Sequence, residues 1–479
     1  MLKKYFKKNK SWLILVLVLF FGLIIRTKNF NVLPIDAHPM RQTDTECVAY
    51  FFYSGKSTFA KPKACLMRPV SNINGYFFLE VPFYEKLISI SYKIFGPKLW
   101  AARLVNLVLY VIGSLSLFGL LKKWMDNLSG LLGVLIFGFV PGSIFFVGHA
   151  IHPDVMAVSL IWLSLYLMWR YKETGRINYF LISGLSLGVS VASRPFGIIC
   201  LPLLGYFLYL RKSKLWNYFG LLILSLLFYG SWYGWTKFLK VDMSWENWVL
   251  FGREKIFDLG ILKNLIWKNI VGETMGKVTS GLAGLGLVVA IIKKDKKMIP
   301  LIMWIFGVII YWLIVPNGNL THQYYADVYI PLVVILAVIG TSFIWKKSKI
   351  VAIFILLVLV YNGIRTSNYH FLTNVEAKID TLIAEEISRE IGEDKKIIYL
   401  NRSNSVPLSL SHRQGWILGE WPVDVAVHIW SFMEMRHFGF DYIVEPKNKM
   451  DLKTEDWEII KLNYPLVKSG EYINIYKYR

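Results

Sequence analysis

The sequence predicts a polytopic α-helical membrane protein with a small α/β domain at its C-terminal end, and three observations carry that prediction. Hydrophobic residues make up 55% of the 479 positions, more apolar surface than a single soluble core of this length can hide. Apolar stretches near or above the roughly 18 residues that cross a bilayer recur through the first three quarters of the chain. Past residue 365 that pattern gives way to short amphipathic and alternating segments.

The spans, about eleven of them, fall at 11–26, 99–121, 129–148, 154–170, 178–193, 196–210, 216–235, 279–292, 299–315, 327–344 and 350–365. Their connections alternate in character. One set is short and basic: the leader with Lys3, Lys4, Lys7, Lys8 and Lys10; Lys122–Lys123; Arg170 to Arg176; Arg211, Lys212 and Lys214; Lys293 to Lys297; and Lys346, Lys347 and Lys349. The other set is longer and carries Pro, Trp, Asp and His. Cytoplasmic loops collect Lys and Arg, so the basic set is expected inside, with the N-terminus inside and the C-terminal domain outside the cell (plasma or inner) membrane. The first segment has no small-residue cleavage site and reads as an anchor. This placement accounts for most of the net charge of +22, the surplus of 54 basic over 32 acidic residues. The expected partner of these lysines is the lipid bilayer and not nucleic acid.

Three outside segments are too large to be connectors. The first, about 27–98, holds two helices expected to lie along the membrane. One starts at Thr43–Asp44 and ends at Gly55, with Val48, Phe51 and Phe52 on one face. The other runs from Pro82 to Gly96, with Leu87, Ile88, Ile90 and Ile94 facing inward or into lipid. The second, about 236–278, is rich in Trp, including Trp245, Trp248 and Trp267. The third is the tail, 366–479, which divides the chain into a membrane domain at 1–365 and an α/β domain. There an amphipathic helix is expected around 376–391 (Ile379, Leu382, Ile383, Ile387), strands at Ile397–Leu400 and Tyr442–Val444, and a helix near 427–438. Final strands are expected near Trp457–Leu462 and Tyr472–Tyr478. No internal repeat is visible, so the repeat signature of many transporters is missing. Cys200 lies in a span as a small apolar filler, whereas Cys47 and Cys65 share an outside loop where a disulfide can persist. No Cys/His spacing resembles a zinc site.

The chemistry-bearing residues cluster in the outside loops. The first loop opens with His38-Pro39-Met40-Arg41-Gln42-Thr43-Asp44-Thr45, then Cys47-Val48-Ala49-Tyr50. Arg68-Pro69, Gly75, Glu80-Val81-Pro82-Phe83-Tyr84 and Gly96 follow, and Ala102-Arg103-Leu104-Val105 opens the second span. His152-Pro153-Asp154 sits at the outside start of the fourth span, and His322-Gln323-Tyr324-Tyr325, followed by Pro331, at that of the tenth. This arrangement resembles the GT-C superfamily of membrane glycosyltransferases. It is most similar to the bacterial branch of glycosyltransferase family 39, related to protein O-mannosyltransferases and the lipid A aminoarabinose transferase. The resemblance covers about residues 1–365.

That resemblance implies a sugar carried on a polyprenyl phosphate and transferred, with inversion at the anomeric carbon, to an acceptor on the outer face. The family's acidic residue at the first juxtamembrane helix matches Asp44. Such a reaction needs a carboxylate to take the acceptor's proton, and cations to steady the departing phosphate. Asp44 is the expected base and Asp154 a second acid. Arg41, Arg68, Arg103 and Arg194, placed near the outside interface, are the pool for the phosphate clamp, since a guanidinium matches phosphate as a planar fork. Aminoarabinose-type members carry an Arg and a Lys where Cys47 and Glu80 stand here, which makes Glu80 a further candidate carboxylate. His152, His322 and Tyr324 join it as candidate substrate contacts. No cofactor is implied; a divalent metal held by Asp44 and Asp154 is conceivable, as in related oligosaccharyltransferases, but is not favoured.

Each residue also has a plainer reading. Asp44 stands where an N-cap is expected, and Asp154 complements a helix dipole. Arg103 and Arg194 can snorkel. The histidines can be structural hydrogen bonders, and Tyr324 and the tryptophans an interfacial belt. Asp36 and Glu46 read as solvated loop charges, with Asp36 a reserve base. Two other functions compete with the transferase. A flippase of lipid-linked sugars would want ionisable groups at mid-membrane, which this chain largely lacks. A non-catalytic assembly factor of envelope glycan synthesis would not need acids and arginines on one outside loop system.

Overall fold

In a computed structural model, the protein is described over residues 2–67, 74–240, 249–250, 258–293, 298–373, 375–400, 404–418, 438–447 and 462–478, the side chains of 2–10 and 259 excepted. By compactness the chain divides into two units. One comprises Met1–Phe30, Arg103–Phe238 and Ser244–Phe371; the other comprises Asn31–Ala102, Leu239–Met243 and Leu372–Arg479. The tail therefore shares its unit with nearly all of the first outside loop.

The first unit is helical. It contains α1 (Leu2–Arg26), α4 (Leu99–Trp124, whose first turn belongs to the other unit), α5 (Asn127–Phe139), α6 (Pro141–Ile144), α7 (Asp154–Thr174) and α8 (Ile177–Ser193). A 3-10 turn at Pro195–Cys200 leads into α9 (Leu201–Leu210) and then α10 (Leu215–Phe238). After α11 (Leu259–Asn264) comes a π-helical stretch, Leu265–Thr274, then α12 (Lys277–Ile292), α13 (Met298–Ile314) and α14 (Pro316–Thr321). A second 3-10 turn, Gln323–Tyr329, runs into α15 (Ile330–Lys347), and α16 (Lys349–His370) closes the unit. Every apolar stretch expected from the sequence is helical over most of its length, the one at 129–148 being interrupted at Val140 and helical only to Ile144. Among the described residues, Leu99–Trp124, Leu215–Phe238, Gln323–Lys347 and Lys349–His370 are long and apolar enough to cross a membrane. Gly260–Thr274 and Lys277–Ile292 form one further stretch bent by 109°.

Local chemistry sets the breaks. Asp126 caps α5 by accepting from the Ser129 N–H at 2.7 Å, and Ser348 caps α16 through Val351. The stretch expected at 129–148 breaks before Pro141, which has no N–H to continue the ladder. Arg26, fully buried at the end of α1, reaches that break: its guanidinium donates to the carbonyls of Gly22, Gly138 and Ser143 at 2.7, 3.1 and 2.9 Å, and lies over the Tyr110 ring. Where α12 crosses α15, a Cβ on Gly286 or Gly340 would overlap the carbonyl of Leu336 or Leu282, so the helices meet backbone to backbone, as small residues permit in membranes.

The second unit joins α2 (Pro39–Tyr53), β1 (Leu66–Met67) and α3 (Phe83–Phe95) to the tail. The tail adds α17 (Val375–Glu390), β2 (Lys396–Leu400), α18 (Val406–Leu410), β3 (Gly415–Leu418), β4 (Phe440–Pro446), β5 (Leu466–Ser469) and β6 (Ile473–Lys477). The described strands form one sheet in the order β1-β3-β2-β4-β6-β5, parallel from β1 through β4 and antiparallel beyond. Both faces are covered, which is why β2 is an unbroken apolar run. Ile397 and Tyr399 pack with Ile383 and Ile387 of α17, with Phe51 and with the Cys47–Cys65 disulfide. Ile398 and Leu400 pack with Met67, Ile443 and Tyr476.

Several expectations shift. Helix α2 begins at Pro39, with Pro at the first helical position, so Asp44 lies inside the helix and is not its cap. The apolar face of α3 divides within its expected range, Ile88 being buried and Leu87, Ile90 and Ile94 exposed. Leu382 of α17 is exposed as well, outside the core its neighbours form. The helix near 427–438 and the strand at Trp457–Leu462 lie almost wholly outside the described residues, as do Trp245, Trp248 and Lys294 to Lys297.

Candidate active site

In the second unit, polar side chains gather along α2. Asp44 Oδ1 accepts from Ser409 Oγ of α18 at 2.7 Å and from Ser405 Oγ at 3.4 Å. Half a turn on, Glu46 accepts from the Tyr92 hydroxyl of α3 and from His412 Nε2, each at 2.8 Å. The His412 ring stacks on Tyr50 of α2, with centroids 3.7 Å apart and planes 4° from parallel. Asp36 accepts from Gln42 Nε2 at 2.6 Å. Both Asp36 and Glu46 are buried, which corrects their reading as solvated charges. Burial is possible because each is met by hydrogen-bond donors.

Arg41, also on α2, forms an ion pair with Glu80, which is 2% exposed. Beside that pair lies Glu85 in the first turn of α3, fully buried. Burial away from water, reinforced by the neighbouring Glu80 carboxylate and only partly offset by Arg41, pushes the Glu85 carboxyl up to about 8. Arg68, the other cation of this loop in the expected clamp, lies outside the described residues.

In the first unit the second expected acid is fully engaged. Asp154 opens α7 after Pro153 and is 1% exposed. Arg194, at the end of α8, grips it as a fork: Nε donates to Oδ1 at 2.8 Å and Nη2 to Oδ2 at 2.9 Å. His152 bonds the same Oδ2 through Nδ1. Tyr324 completes the cluster, its ring 4.4 Å from that of His152, 5.2 Å from that of His322, and under the Arg194 guanidinium. Sequence reasoning placed His152, Asp154, Arg194, His322 and Tyr324 at separate span ends, and the fold brings them together. Arg103 stands apart: fully buried, it donates through Nη1 to the carbonyls of Asn29 and Phe30 at 3.0 and 2.9 Å.

Sequence reasoning missed Glu85, Ser405, Ser409, His412 and Asp327. Glu85 was detectable as an acid three positions before Ile88, on the face of α3 that turns inward. Asp327 is fully buried at the start of an expected span, an expensive place for a carboxylate. The tail residues sit in Ser405 to His412, where leucines and serines alternate as in a strand, a pattern that conceals the short helix Val406–Leu410. Among the described residues no group of three or more His, Cys, Asp or Glu is placed to hold a metal ion.

Residues 80–235 match the family model described as dolichyl-phosphate-mannose-protein mannosyltransferase. An uncharacterized protein of Aquifex aeolicus (strain VF5) is 25% identical over 302 residues, 61% of this chain and 67% of that protein. ArnT from Cupriavidus metallidurans bound to undecaprenyl phosphate superposes with a TM-score of 0.62 at 11% identity, covering 98% of this chain and 97% of that one. Its apo form gives 0.64 at 13% identity, with 98% of each chain covered. The Archaeoglobus fulgidus oligosaccharyltransferase in its apo form gives 0.59 at 12% identity, over 92% of this chain and 70% of that one. At such identities the structural likeness is one of fold. The resemblance read from the sequence is thus met twice over: this chain has the fold of the GT-C membrane glycosyltransferases, and its residues 80–235 carry the pattern of the mannosyltransferase family model.

Proposed function

We propose that the protein is an inverting glycosyltransferase that moves a sugar from a polyprenyl-phosphate donor to an acceptor hydroxyl on the extracytoplasmic side. The observation that carries the proposal is the likeness over 98% of the chain to a structure that holds undecaprenyl phosphate. A second neighbour in the same fold, the Archaeoglobus fulgidus oligosaccharyltransferase, is bound to a dolichol phosphate and an inhibitory peptide. The sidedness rests on the basic connections, which favour a cytoplasmic face opposite the 27–98 loop and the tail domain.

In this reading Asp44 is the base. The acceptor oxygen attacks the anomeric carbon from the face opposite the phosphate, and its proton passes to the Asp44 carboxylate. The carbon–oxygen bond to phosphate breaks, and its electron pair leaves with the polyprenyl phosphate. Arg41, on the same helix as Asp44, steadies that departing charge, and Arg194 is a further candidate of the expected pool. Each already holds a carboxylate, so each is fixed in direction before a donor arrives. The Arg194 fork to Asp154 uses Nε and Nη2 and leaves Nη1 outside the pairing. Arg103 and Arg68 stay in the pool for the same clamp, with Glu80, His152, His322 and Tyr324 as the candidate sugar and acceptor contacts. This reading invokes no metal, because a cation at Asp44 or Asp154 would compete with the hydroxyl groups on the one and the guanidinium and imidazole on the other.

The test is sugar transfer in liposomes from undecaprenyl-phosphate mannose to a panel of peptide, lipid and glycan hydroxyls, comparing wild type with Asp44→Asn. Release of undecaprenyl phosphate by the wild type, and its loss in a folded Asp44→Asn variant, is the expected result. Turnover that survives the substitution would remove Asp44 from the chemistry. Absence of turnover across donors and acceptors, with movement of the lipid between leaflets, would favour a flippase.

A further inference from the structure

The tail domain meets α2 at the residue on which the proposed chemistry depends. Ser405 and Ser409 are both fully buried, and their hydroxyls converge on one oxygen, Asp44 Oδ1, at 3.4 and 2.7 Å. These contacts span 361 and 365 positions of chain, so they exist only because the first loop and the tail fold as one unit. We propose that Ser409, with Ser405 beside it, is a positioning residue for Asp44. The inference rests on Asp44 being the base.

The segment that carries these hydroxyls is fixed at both ends. Before it, Asn404 donates to Asp380 of α17 at 2.6 Å and caps the turn by accepting from the Val406 N–H at 3.1 Å. After it, His412 is clamped between Glu46 and the Tyr50 ring. Next to that, buried Arg413 donates to the carbonyls of Ile391, Ser388 and Ser411. Two of these anchors, Glu46 and Tyr50, lie on the same helix as Asp44, so hydroxyls and carboxylate are held on one rigid frame. Two hydroxyls held on one oxygen limit the rotation of the carboxylate and so fix the direction from which it meets an acceptor proton. Hydroxyl donors also stabilise a carboxylate in its ionised form. The tail is thereby a working part of the site and not an appendage.

The experiment compares full-length wild type, Ser409→Ala, Ser405→Ala/Ser409→Ala and Ser409→Thr in liposomes, with undecaprenyl-phosphate mannose as donor. The double alanine variant is expected to lose up to about 100-fold in kcat with KM little changed, the scale of a misplaced reacting group. Its acid limb moves to higher pH, because the carboxylate has lost two donors. Ser409→Thr, which keeps the hydroxyl, restores both. A readout independent of turnover is labelling of Asp44 by a carbodiimide, which attacks the protonated carboxyl, followed by peptide mass spectrometry across pH. Labelling that extends to higher pH in the double variant supports the assignment even if the wild type transfers no sugar, a result that would sink the transferase reading alone. Unchanged labelling and an unchanged acid limb in a folded double variant would overturn it. So would a loss of activity that follows the unfolding temperature and is not restored by Ser409→Thr.

Discussion

Removing the Asp154 carboxylate is the sharpest probe of the first unit. Asp154→Ala deletes an acceptor that takes two bonds from Arg194, at 2.8 and 2.9 Å, and a third from His152. Hydrogen bonds to charged groups contribute about 1.5–3 kcal/mol each. The three do not simply add, because the Arg194 side chain is 12% exposed and its free edge can turn to water. Breaking one partner out of a buried pair costs about 3–5 kcal/mol, and that is the expected loss. Arg194→Met leaves the carboxylate buried without its fork and is expected to cost about as much. Combining the two removes both charges, so the double variant is expected to recover roughly 2–3 kcal/mol relative to the sum of the single losses. Reversible unfolding in mixed micelles, followed by tryptophan fluorescence, measures all four corners of the cycle. Losses that add within about 0.5 kcal/mol would refute the pairing. Arg194→Lys, which keeps charge but not the planar fork, is expected to behave more like the methionine variant than like wild type.

Three other outcomes follow from the same geometry. The Cys47–Cys65 bond closes a loop of 18 positions, and a Cys47→Ala/Cys65→Ala variant is expected to lose about 3 kcal/mol of stability; equal unfolding midpoints under oxidising and reducing conditions would contradict it. The Glu85 carboxyl, raised from 4.5 to about 8, binds its proton more tightly in the folded than in the unfolded chain, so its contribution is full below pH 4.5 and is lost as pH rises to about 8. Glu85→Gln should therefore gain stability over wild type at pH 9 and not at pH 4, and parallel stability curves across that range would rule the assignment out. Finally, sugar transfer should survive dialysis against a chelator; activity that disappears and returns only with added manganese would show that Asp44 or Asp154 works through a cation.

Much of the architecture is legible because membrane helices are specified locally. A run of some 18 apolar residues has no better state in a bilayer than a helix, and each expected stretch is largely helical, the Pro141 break excepted. The tail's α17, β2, β4 and β6 also follow from their own periodicity. The start of α2 was misplaced because a Thr-Asp pair looks like a cap, while Pro39, four residues earlier, is the stronger start signal. The burial of Asp36 and Glu46 was misjudged because a loop charge is solvated unless distant donors meet it, and those donors are Gln42 for Asp36 and Tyr92 and His412 for Glu46.

The sequence by itself determined that this is a helical membrane protein with an α/β tail, which residue types could serve phosphoryl-sugar chemistry, and which superfamily it resembles. Only the tertiary structure decided that a two-residue strand of the first loop enters the tail's sheet, that Arg194 grips Asp154 and Arg41 holds Glu80, and that two serines of the tail hold Asp44. The physical reason is the range of the forces involved. Helix propensity, apolar runs and charge bias act within a few residues and are written along the chain. Hydrogen bonds and ion pairs reach about 3–4 Å in space, and which residues come that close depends on how elements hundreds of positions apart fold together.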